Sequence, residues 1–364
     1  MADYVTVAPA ALRATVAAHC LASGSNRREA TLVSENLVLA NLSGHDSHGV
    51  GMTPQYLTAV REGNLVLNQS AKLAVDAGAL ITVDGGMGYG QVIGHEAIEM
   101  AIRRARQFGV CVLSLRTSHH IGRIGHWGEQ CAAAGLVSTH YVNVINRPPL
   151  VAPFGGADGR FTTNPYCAAL PDPNGPGPDG KPLVLDMATS TIAMGKVRVA
   201  MNKGELVPPG TLIDSAGNPT QDPKVMWENP RGAILTFGGH KGFGLAVVAE
   251  LLAGALSGGG TLHDGNWQSM TTTNNMLSIL IDPGKLGGAD SWQGEMGDFL
   301  RWVKASPPAP GVEEVLVAGE PERRMRAERA NGIPIDSTSW NEIVEAGASV
   351  GVSADETRRI AGLA

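Results

Sequence analysis

Two short segments concentrate the side chains best suited to proton transfer. The first is GHDSHGVGM at residues 44–52, and the second is SHHIGRIGH at residues 118–126. Imidazole titrates near neutral pH, which makes histidine a common general acid or base in enzymes. Glycines beside the histidines let a ligand approach the backbone closely. Both patterns are therefore typical of a catalytic loop, although the first is equally typical of a polar helix end.

The second segment lies where α/β proteins commonly bind small anions. It follows an apolar strand at residues 110–115 and precedes a helix, so it is a loop at the carboxyl end of a strand. Three histidines and Arg123 at a helix amino terminus could hold an anion. A metal site of the pattern HHx5H, joined by His48, is the weaker alternative because the cluster lacks the HExxH spacing and contains no cysteine or carboxylate. We expect one of the three histidines to be functional and the other two to be structural.

Three further polar turns each precede a predicted helix. GYGQVIG at residues 88–94 has the spacing GxGxxxG instead of GxGxxG, and no acidic residue ends the next strand. It is therefore interpreted as a tight strand-to-helix turn and not as a Rossmann dinucleotide site. LDMATS at residues 185–190 and GGHKGFG at residues 238–244 could bind a phosphate at a helix amino terminus, or could simply cap those helices.

The composition excludes several classes of protein. Of the 364 residues, 43% are apolar and 17% are charged, which argues against a disordered chain or a coiled coil. The net charge of −6, without a long basic run, argues against a nucleic-acid partner. We expect no membrane span and no signal peptide, because no apolar run reaches about 18 residues and the start of the chain has no apolar stretch. Four cysteines without a CxxC pair favour reduced thiols in the cytoplasm.

Hydrophobic periodicity predicts an α/β chain with helices in its first part. Strand and helix patterns alternate between residues 80 and 144, and the helix at residues 241–256 is apolar around most of its circumference, which predicts burial. The long Pro- and Gly-rich segment at residues 145–182 is predicted to be a functional loop. Helices are predicted at residues 8–23, 26–43 (with Asn26 as N-cap), 54–61, 91–107, 127–134, 190–202, 241–256, 321–331, 340–347 and 354–363. Strands are predicted at residues 73–75, 80–83, 110–115, 136–144, 183–186, 276–281 and 315–318.

Several longer motifs, in this order, resemble those of the malate/L-lactate dehydrogenase family that lacks a Rossmann fold. The resemblance covers nearly the whole chain, and within the family it is closest to the hydroxycarboxylate dehydrogenases. The motifs are HDSHGVGM (45–52), SHHIGRIGHWGEQCAAAG (118–135), VAPFGGADGRFTTNP (151–165), LDMATS (185–190), GKVRVA (195–200) and HKGFGLAVVAELLAGALSGG (240–259).

This resemblance implies a fold and an activity. The fold is α/β and sulfolactate-dehydrogenase-like, with a central mixed sheet flanked by helices, a helical N-terminal part and a dinucleotide bound without a Rossmann fold. We expect a helical segment at residues 1–75 that contributes a catalytic loop, a cofactor-binding domain at 76–310, and a C-terminal strand and helices at 311–364. The implied enzyme is a cytoplasmic homodimer that interconverts 2-oxo and 2-hydroxy acids with NAD, which we favour over NADP.

The resemblance also assigns roles to residues by motif position. His48, next to Ser47, falls on a histidine at the catalytic centre, and His120 falls on the histidine that donates the proton. The positions that contact the cofactor are His48, Gly122, Arg123, Ile124, Val184, Leu185, Asp186, Met187, Ala188, His240, Lys241, Leu316, Val317, Ala318 and Gly319.

Met52 departs from the family pattern. Many relatives have an arginine at this position, four residues after the second histidine of the first motif, where it can clamp a substrate carboxylate. Methionine cannot replace the two parallel hydrogen bonds of a guanidinium. Either another cation, Arg123 or Arg147, binds the carboxylate, or the substrate is a more apolar acid than malate, such as an aryl or alkyl 2-oxo acid.

Three other functions remain open at this point. Relatives of this family also reduce cyclic 2-imino acids, and the sequence does not distinguish a C=O from a C=N substrate. A metal-dependent hydrolase could use the histidine cluster, and a ligand-binding protein without turnover could use the same polar turns. Nothing in the sequence names the physiological substrate.

Overall fold

A mixed seven-stranded sheet forms the centre of the molecule. The computed structural model describes residues 4–174, 180–263, 271–287 and 289–363, and in these residues the sheet has the order β2-β3-β4-β11-β5-β6-β7. The strands are β1 (Tyr4–Val7), β2 (Lys72–Ala77), β3 (Leu80–Asp84), β4 (Val110–His119), β5 (Val137–Ile145), β6 (Tyr166–Leu170), β7 (Leu183–Met187), β8 (Leu212–Ile213), β9 (Pro219–Thr220), β10 (Ala233–Ile234), β11 (Thr273–Ile281) and β12 (Ile333–Asp336).

Helices cover the sheet and form most of residues 9–61 and 320–360. They are α1 (Pro9–Ala22), α2 (Arg27–Leu42), α3 (Thr53–Arg61), α4 (Gly90–Phe108), α5 (Gly125–Ala133), α6 (Met194–Lys203), α7 (His240–Glu250), α8 (Ala289–Lys304), α9 (Glu320–Glu328), α10 (Ser337–Ser349) and α11 (Ala354–Ile360). Asn26 caps α2 as predicted, because its Oδ1 accepts a hydrogen bond from Glu29 N at 2.9 Å. None of the described helices is long and apolar enough to cross a membrane.

The pairing of the strands confirms the predicted mixed sheet. β3 and β4 are parallel and are joined by α4, whereas the other neighbouring strands of this sheet are antiparallel. β11 comes from late in the chain and lies between β4 and β5. The remaining strands form a small three-stranded sheet of β8, β9 and β10 and a separate pair of β1 with β12.

Two apolar cores hold these layers together. One lies between the sheet and the helices α4 and α5, where Trp127 is fully buried. The other joins α1, α2 and α3 to α10 and the β1–β12 pair, with Leu12, Leu37 and Trp340 among its members. The first 65 residues therefore share a core with the C-terminal helices. The boundaries at residues 75 and 310, between the three segments expected from the sequence, stay a prediction.

The structure differs from the sequence predictions in several places, and α8, β1 and β12 are among the elements that the sequence analysis did not predict. Residues 315–318 form no strand but lead into a turn, so that prediction was wrong. The predicted loop at 145–182 contains a strand, β6. Every second side chain of β6 is buried, and this burial stabilises the strand in the sheet. The helix predicted at 241–256 continues beyond α7 as a π-helical segment, Leu251–Ala255, and is not fully buried: Val248 and Leu256 are 44% and 67% exposed. Periodicity detects an apolar face but not what covers it.

Candidate active site

The structure stacks the two histidines that the resemblance assigns to catalysis. The ring centroids of His48 and His120 lie 5.6 Å apart, and the ring planes differ by 20°. His48 ends a short 3-10 helix that follows α2, and His120 directly follows β4. Two segments about 70 residues apart in the chain therefore meet at one place.

In each of these rings the Nδ1 atom contacts a hydroxyl group. Ser47 Oγ lies 3.0 Å from His48 Nδ1, and Tyr56 Oη lies 2.6 Å from His120 Nδ1. Tyr56 Oη also accepts a hydrogen bond of 2.8 Å from Gln91 Nε2. Within the described part of the chain neither Nε2 atom has a hydrogen-bond partner, so these are the ring atoms that a ligand can reach.

Burial keeps both imidazoles neutral near pH 7. Loss of hydration lowers the pKa of His48 from 6.5 to about 4, and nearby positive charges act in the same direction. The same cause lowers the pKa of His120 well below its ordinary value, with contributions from His48 and Arg147. A bound anion would raise both pKa values, because it stabilises the charged ring.

Side chains of β11 hold the backbone on which His120 sits. Asn275 Oδ1 accepts a hydrogen bond from Thr117 N at 2.9 Å, and Asn274 Oδ1 accepts one from Ile121 N at 3.0 Å. Thr117 has a φ of 52°, an unfavourable value for a β-branched residue, and its bond to Asn275 stabilises this turn. The central strand thus determines where the second histidine segment begins.

The glycines of GYGQVIG have a packing role. A Cβ atom on Gly90 would lie 2.2 Å from the carbonyl oxygen of His120, and one on Gly94 would lie 2.6 Å from the Trp127 ring. Gly90 therefore lets the start of α4 pack directly on the backbone of the second histidine segment, and Gly94 lets α4 pack on the Trp127 ring. The interpretation of this motif as a tight turn instead of a Rossmann site agrees with this geometry.

Arg123 is occupied by an internal ion-pair network. Its guanidinium is 3% exposed and lies 2.6 Å from Glu129 and 3.8 Å from Asp186. Asp186 Oδ2 also accepts a hydrogen bond of 2.8 Å from Gly125 N. This network ties the start of α5 to β7, and it leaves Arg123 poorly placed to bind a substrate carboxylate.

Two of the segments assigned to the cofactor lie side by side. Val184 N on β7 donates a hydrogen bond to Ala318 O at 3.3 Å, and a Cβ atom on Gly319 would lie 3.1 Å from Pro182 O. The turn at residues 316–319 therefore packs along the strand that contains residues 184–187. Because Asp186 is bonded to Gly125, this strip also adjoins residues 122–124.

His240 and Lys241 lie at the amino end of α7, where both are exposed. Phe237 N donates to Thr189 O at 3.1 Å, which links this turn to the end of β7. No contact between either residue and the paired histidines is found in the described ranges. Near the pair, a Cβ atom on Gly195 would lie 3.0 Å from Ser47 Cβ, so the first turn of α6 contacts Ser47, which stays exposed.

A cavity of about 320 Å³ beside α3 contains a second candidate cation. Its lining includes His119, Arg147 and Thr272. Arg147 shares this lining with His119, which precedes His120 in the chain, and its positive charge contributes to the lowered pKa of both histidines. Met52 is half-buried and packs against the core of the terminal helices.

A larger cavity, of about 400 Å³, lies between α2, α4 and α5. Asn36 and Gln91 line it, and both polar side-chain atoms of Asn36 are buried without a hydrogen-bond partner in the described residues. Neither of the two cavities is lined by His48 or His120. Gln91 lines the larger cavity and His119 the smaller one, and both contact Tyr56, the hydrogen-bond partner of His120.

Among the described residues, no group of three or more His, Cys, Asp or Glu side chains is arranged to hold a metal ion. The four cysteines are buried free thiols, and desolvation raises the pKa of Cys131 to about 12. These thiols are therefore protonated at neutral pH and unsuited to metal binding.

Sequence reasoning missed Tyr56 and Gln91. Tyr56 lies within a correctly predicted helix, and Gln91 lies inside the glycine motif at 88–94. The available signal was a single polar side chain, Gln91, followed by apolar residues at the start of a buried helix. Its partner could not be identified without the contact between α3 and α4.

Comparison with known proteins identifies the class of enzyme. The family model described as malate/L-lactate dehydrogenase matches residues 7–344. Hydroxycarboxylate dehydrogenase B of Escherichia coli (strain K12) is 48% identical over 332 residues, covering 90% of each chain. An L-lactate dehydrogenase of Cupriavidus necator is 46% identical over 322 residues, covering 88% of this chain and 91% of its own length.

Solved structures agree with this class. A structure from E. coli assigned as a malate/lactate dehydrogenase superimposes with a TM-score of 0.92 at 45% identity, covering 98% of each chain. Sulfolactate dehydrogenase from Methanocaldococcus jannaschii superimposes with a TM-score of 0.84 at 31% identity, covering 97% of this chain and 99% of the other. Delta1-piperideine-2-carboxylate reductase from Pseudomonas syringae superimposes with a TM-score of 0.80 at 30% identity, covering 94% of this chain and 99% of the other.

The chain belongs to the malate/L-lactate dehydrogenase family, and its fold is the sulfolactate-dehydrogenase-like α/β fold that the motifs implied. It is an enzyme of the hydroxyacid dehydrogenase type, in a family that depends on pyridine nucleotides.

Proposed function

We propose that this enzyme interconverts 2-oxo acids and 2-hydroxy acids with NAD as the hydride carrier. The observation that carries the proposal is the stacked pair of His48 and His120, in which each Nδ1 is held by a hydroxyl and each Nε2 is available to a ligand. Such a pair can bind an oxygen atom and exchange a proton with it.

The bound nicotinamide would supply or accept the hydride. Reduction of a carbonyl leaves negative charge on the substrate oxygen, which then needs a proton. We assign this proton to His120 Nε2 in reduction, and the same atom accepts it in oxidation. His48 and Ser47 orient the substrate beside it. Because burial keeps both rings neutral in the free enzyme, the proton that His120 gives in reduction is the one on its neutral Nε2.

Arg147 is our candidate for the substrate carboxylate. Arg123 is only 3% exposed beside Glu129 and Asp186, whereas Arg147 is half-buried and lines a cavity with His119, the neighbour of His120 in the chain. A guanidinium binds a carboxylate through charge-assisted hydrogen bonds. With Met52 in place of the usual arginine, we propose a substrate with an aryl or alkyl group instead of a second carboxylate.

The residues assigned to the dinucleotide fit such a ligand. Gly238 and Gly239 have φ values of 54° and 61° and precede the exposed amino end of α7, where His240 and Lys241 could bind a phosphate. The backbone strip formed by residues 184–188 and 316–319, next to residues 122–124, offers an extended surface for the rest of the molecule. NAD in place of NADP follows the resemblance.

The test is oxidation of NADH and of NADPH by the purified enzyme with a panel of 2-oxo acids. We expect turnover with NADH, and faster turnover with phenylpyruvate or an alkyl 2-oxo acid than with oxaloacetate. A His120→Gln variant controls for contaminating dehydrogenases. No oxidation of either nucleotide with any acid of the panel would contradict the proposal, and faster turnover with NADPH would reverse the cofactor assignment.

A second candidate is reduction of cyclic 2-imino acids. One solved structure of this fold is a delta1-piperideine-2-carboxylate reductase, with a TM-score of 0.80 and 30% identity. A C=N substrate needs the same hydride and a proton on nitrogen, which the histidine pair could supply. Assaying a cyclic imine beside phenylpyruvate distinguishes the two functions.

We also propose that the enzyme is a homodimer in the cytoplasm. The outer face of α7 and its π-helical continuation carries exposed apolar side chains, including Val248, Leu251 and Leu256, at 44%, 52% and 67%. A second copy of the chain is the partner implied by the resemblance, and burial of this face would stabilise the pair. Four buried free thiols fit a reducing compartment.

A further inference from the structure

Tyr56 contacts the Nδ1 atom of His120, the ring nitrogen opposite the one available to a ligand. Its side chain is 1% exposed, and its hydroxyl oxygen lies between two partners, Gln91 Nε2 at 2.8 Å and His120 Nδ1 at 2.6 Å. Gln91 is equally buried, at 1% exposed. Both contacts are therefore shielded from water, which makes them strong and specific in direction.

The direction of these hydrogen bonds determines the tautomer of His120. Gln91 Nε2 can only donate, so Tyr56 Oη accepts from it. Among the described residues His120 Nδ1 is the only other hydrogen-bond partner of this hydroxyl, so it is the acceptor to which the hydroxyl proton of Tyr56 can be donated. A neutral imidazole that accepts at Nδ1 carries its proton on Nε2, the atom without a protein partner in the described residues.

We propose that Tyr56 is a positioning residue that, together with Gln91, places the proton of His120 on Nε2, facing the substrate. This inference rests on the proposed function, in which His120 Nε2 gives a proton to the substrate oxygen. When Nε2 loses that proton, the Tyr56 hydroxyl proton moves to Nδ1, so the ring stays neutral and the negative charge passes to the phenolate oxygen, where the Gln91 N–H stabilises it. The phenolate is reprotonated through the ring after the product leaves.

The charged and titratable groups around the ring agree with a neutral donor. His48 stacks on it, His119 lies next to it in the chain, and Arg147 lies nearby, and each of them disfavours a positive charge on His120. Burial raises the pKa of Tyr56 to well above its ordinary value of 10, so its hydroxyl is protonated at rest. The Tyr56 hydroxyl proton is therefore present before the reaction begins.

The decisive comparison is Tyr56→Phe against Tyr89→Phe. Tyr89 is also fully buried and its ring packs edge-to-face on Tyr56 at 5.7 Å, but its hydroxyl makes no hydrogen bond to His120. Both variants lose one buried hydroxyl and keep the ring. We expect kcat for phenylpyruvate reduction to fall about tenfold in Tyr56→Phe, with KM for NADH unchanged, and to stay within twofold in Tyr89→Phe. Gln91→Met, which keeps the hydroxyl but frees its orientation, should give a smaller loss.

A second measurement reads the tautomer directly. In enzyme labelled with ¹⁵N-histidine, proton–nitrogen correlation spectra distinguish protonated from unprotonated ring nitrogens, and the His120 signals are those missing from His120→Gln. We expect protonated Nε2 and unprotonated Nδ1 in the unaltered enzyme and in Tyr89→Phe, and a mixture of tautomers in Tyr56→Phe. An unchanged tautomer in Tyr56→Phe, or a changed tautomer with unchanged kcat, overturns the proposal. If His120→Gln keeps full activity, the proposed function fails instead, and the spectra still show whether Tyr56 sets the tautomer.

Discussion

His140, within a central strand of the sheet, and His120, just beyond the end of a strand, differ in how many of their ring nitrogens have a hydrogen-bond partner. His140 on β5 is fully buried, and both of its ring nitrogens are bonded: Nδ1 lies 2.7 Å from Ser278 Oγ and Nε2 lies 2.9 Å from Ser138 Oγ. His120 is held at Nδ1 only. Burial lowers the pKa of both residues.

The difference shows that a lowered pKa does not by itself identify a catalytic histidine. Burial has the same effect on a ring that only fills the core and on a ring that exchanges protons. What separates His120 from His140 is that His120 keeps one ring nitrogen without a protein partner among the described residues. His48 agrees with His120 by this criterion, because Ser47 holds its Nδ1 and no described residue binds its Nε2. The two kinds of histidine can be tested against each other.

Replacing His120 should have the largest effect. In His120→Gln we expect kcat for 2-oxo acid reduction to fall by about 10²–10⁴-fold, because the general acid is lost, with NADH binding retained. The matched change in the core, His140→Gln, should leave kcat within about threefold. Stopped-flow or steady-state NADH oxidation and fluorescence titration of NADH measure both. Equal losses in the two variants would remove the distinction between the two rings.

Replacing Arg147, the candidate cation near His48 and His120, should have a smaller effect on catalysis than replacing His120. Arg147→Met should raise KM for phenylpyruvate by roughly 10–100-fold, the range for one lost hydrogen bond between charged groups, with little change in KM for NADH. Arg160→Met is the control, since Arg160 is exposed and forms an ion pair with Asp158. A KM for the acid that matches the control would show that another group binds the carboxylate.

Replacing His140 should change the pH dependence of the free energy of unfolding and leave the reaction rate nearly unchanged. Its pKa is lowered from 6.5 in the unfolded chain to about 3 in the folded protein, so between these values the unfolded chain binds more protons. The free energy of unfolding therefore rises with pH up to about 6.5 and is then independent of this group. In His140→Gln the slope between pH 4 and 6 should fall by about 1.4 kcal/mol per pH unit. Urea unfolding at a series of pH values measures it, and parallel slopes would contradict the assignment.

The sequence predicted the elements of the site better than its contacts. Motifs identified His48 and His120, and periodicity placed α3 and α4 within one or two residues. The pairing of Tyr56 with His120 depends on three elements that approach each other only in the folded molecule. The cation was ambiguous because the sequence does not distinguish Arg123 from Arg147, and only the folded structure shows that Arg123 is buried at 3% exposure whereas Arg147 lines a cavity.

The fold shows the same limit. Alternating or apolar patterns predicted β3, β4, β5 and β11 because these strands bury their side chains in the main core. The short apolar run at 315–318 gave a false strand, since it packs along β7 as a turn without pairing as a strand. The face of α7 was predicted to be buried because its composition is apolar, and composition does not state whether the same chain or another one covers it.

The position of β11 has a consequence for synthesis on the ribosome. This strand begins at residue 273 and separates β4 from β5, which are complete by residue 145. Until it emerges, the nascent chain exposes the unpaired edges of two apolar strands, and the turn that orients His120 lacks its asparagine partners. We therefore expect the enzyme to acquire its active form late in translation, after a long interval in which those edges are open to chaperones.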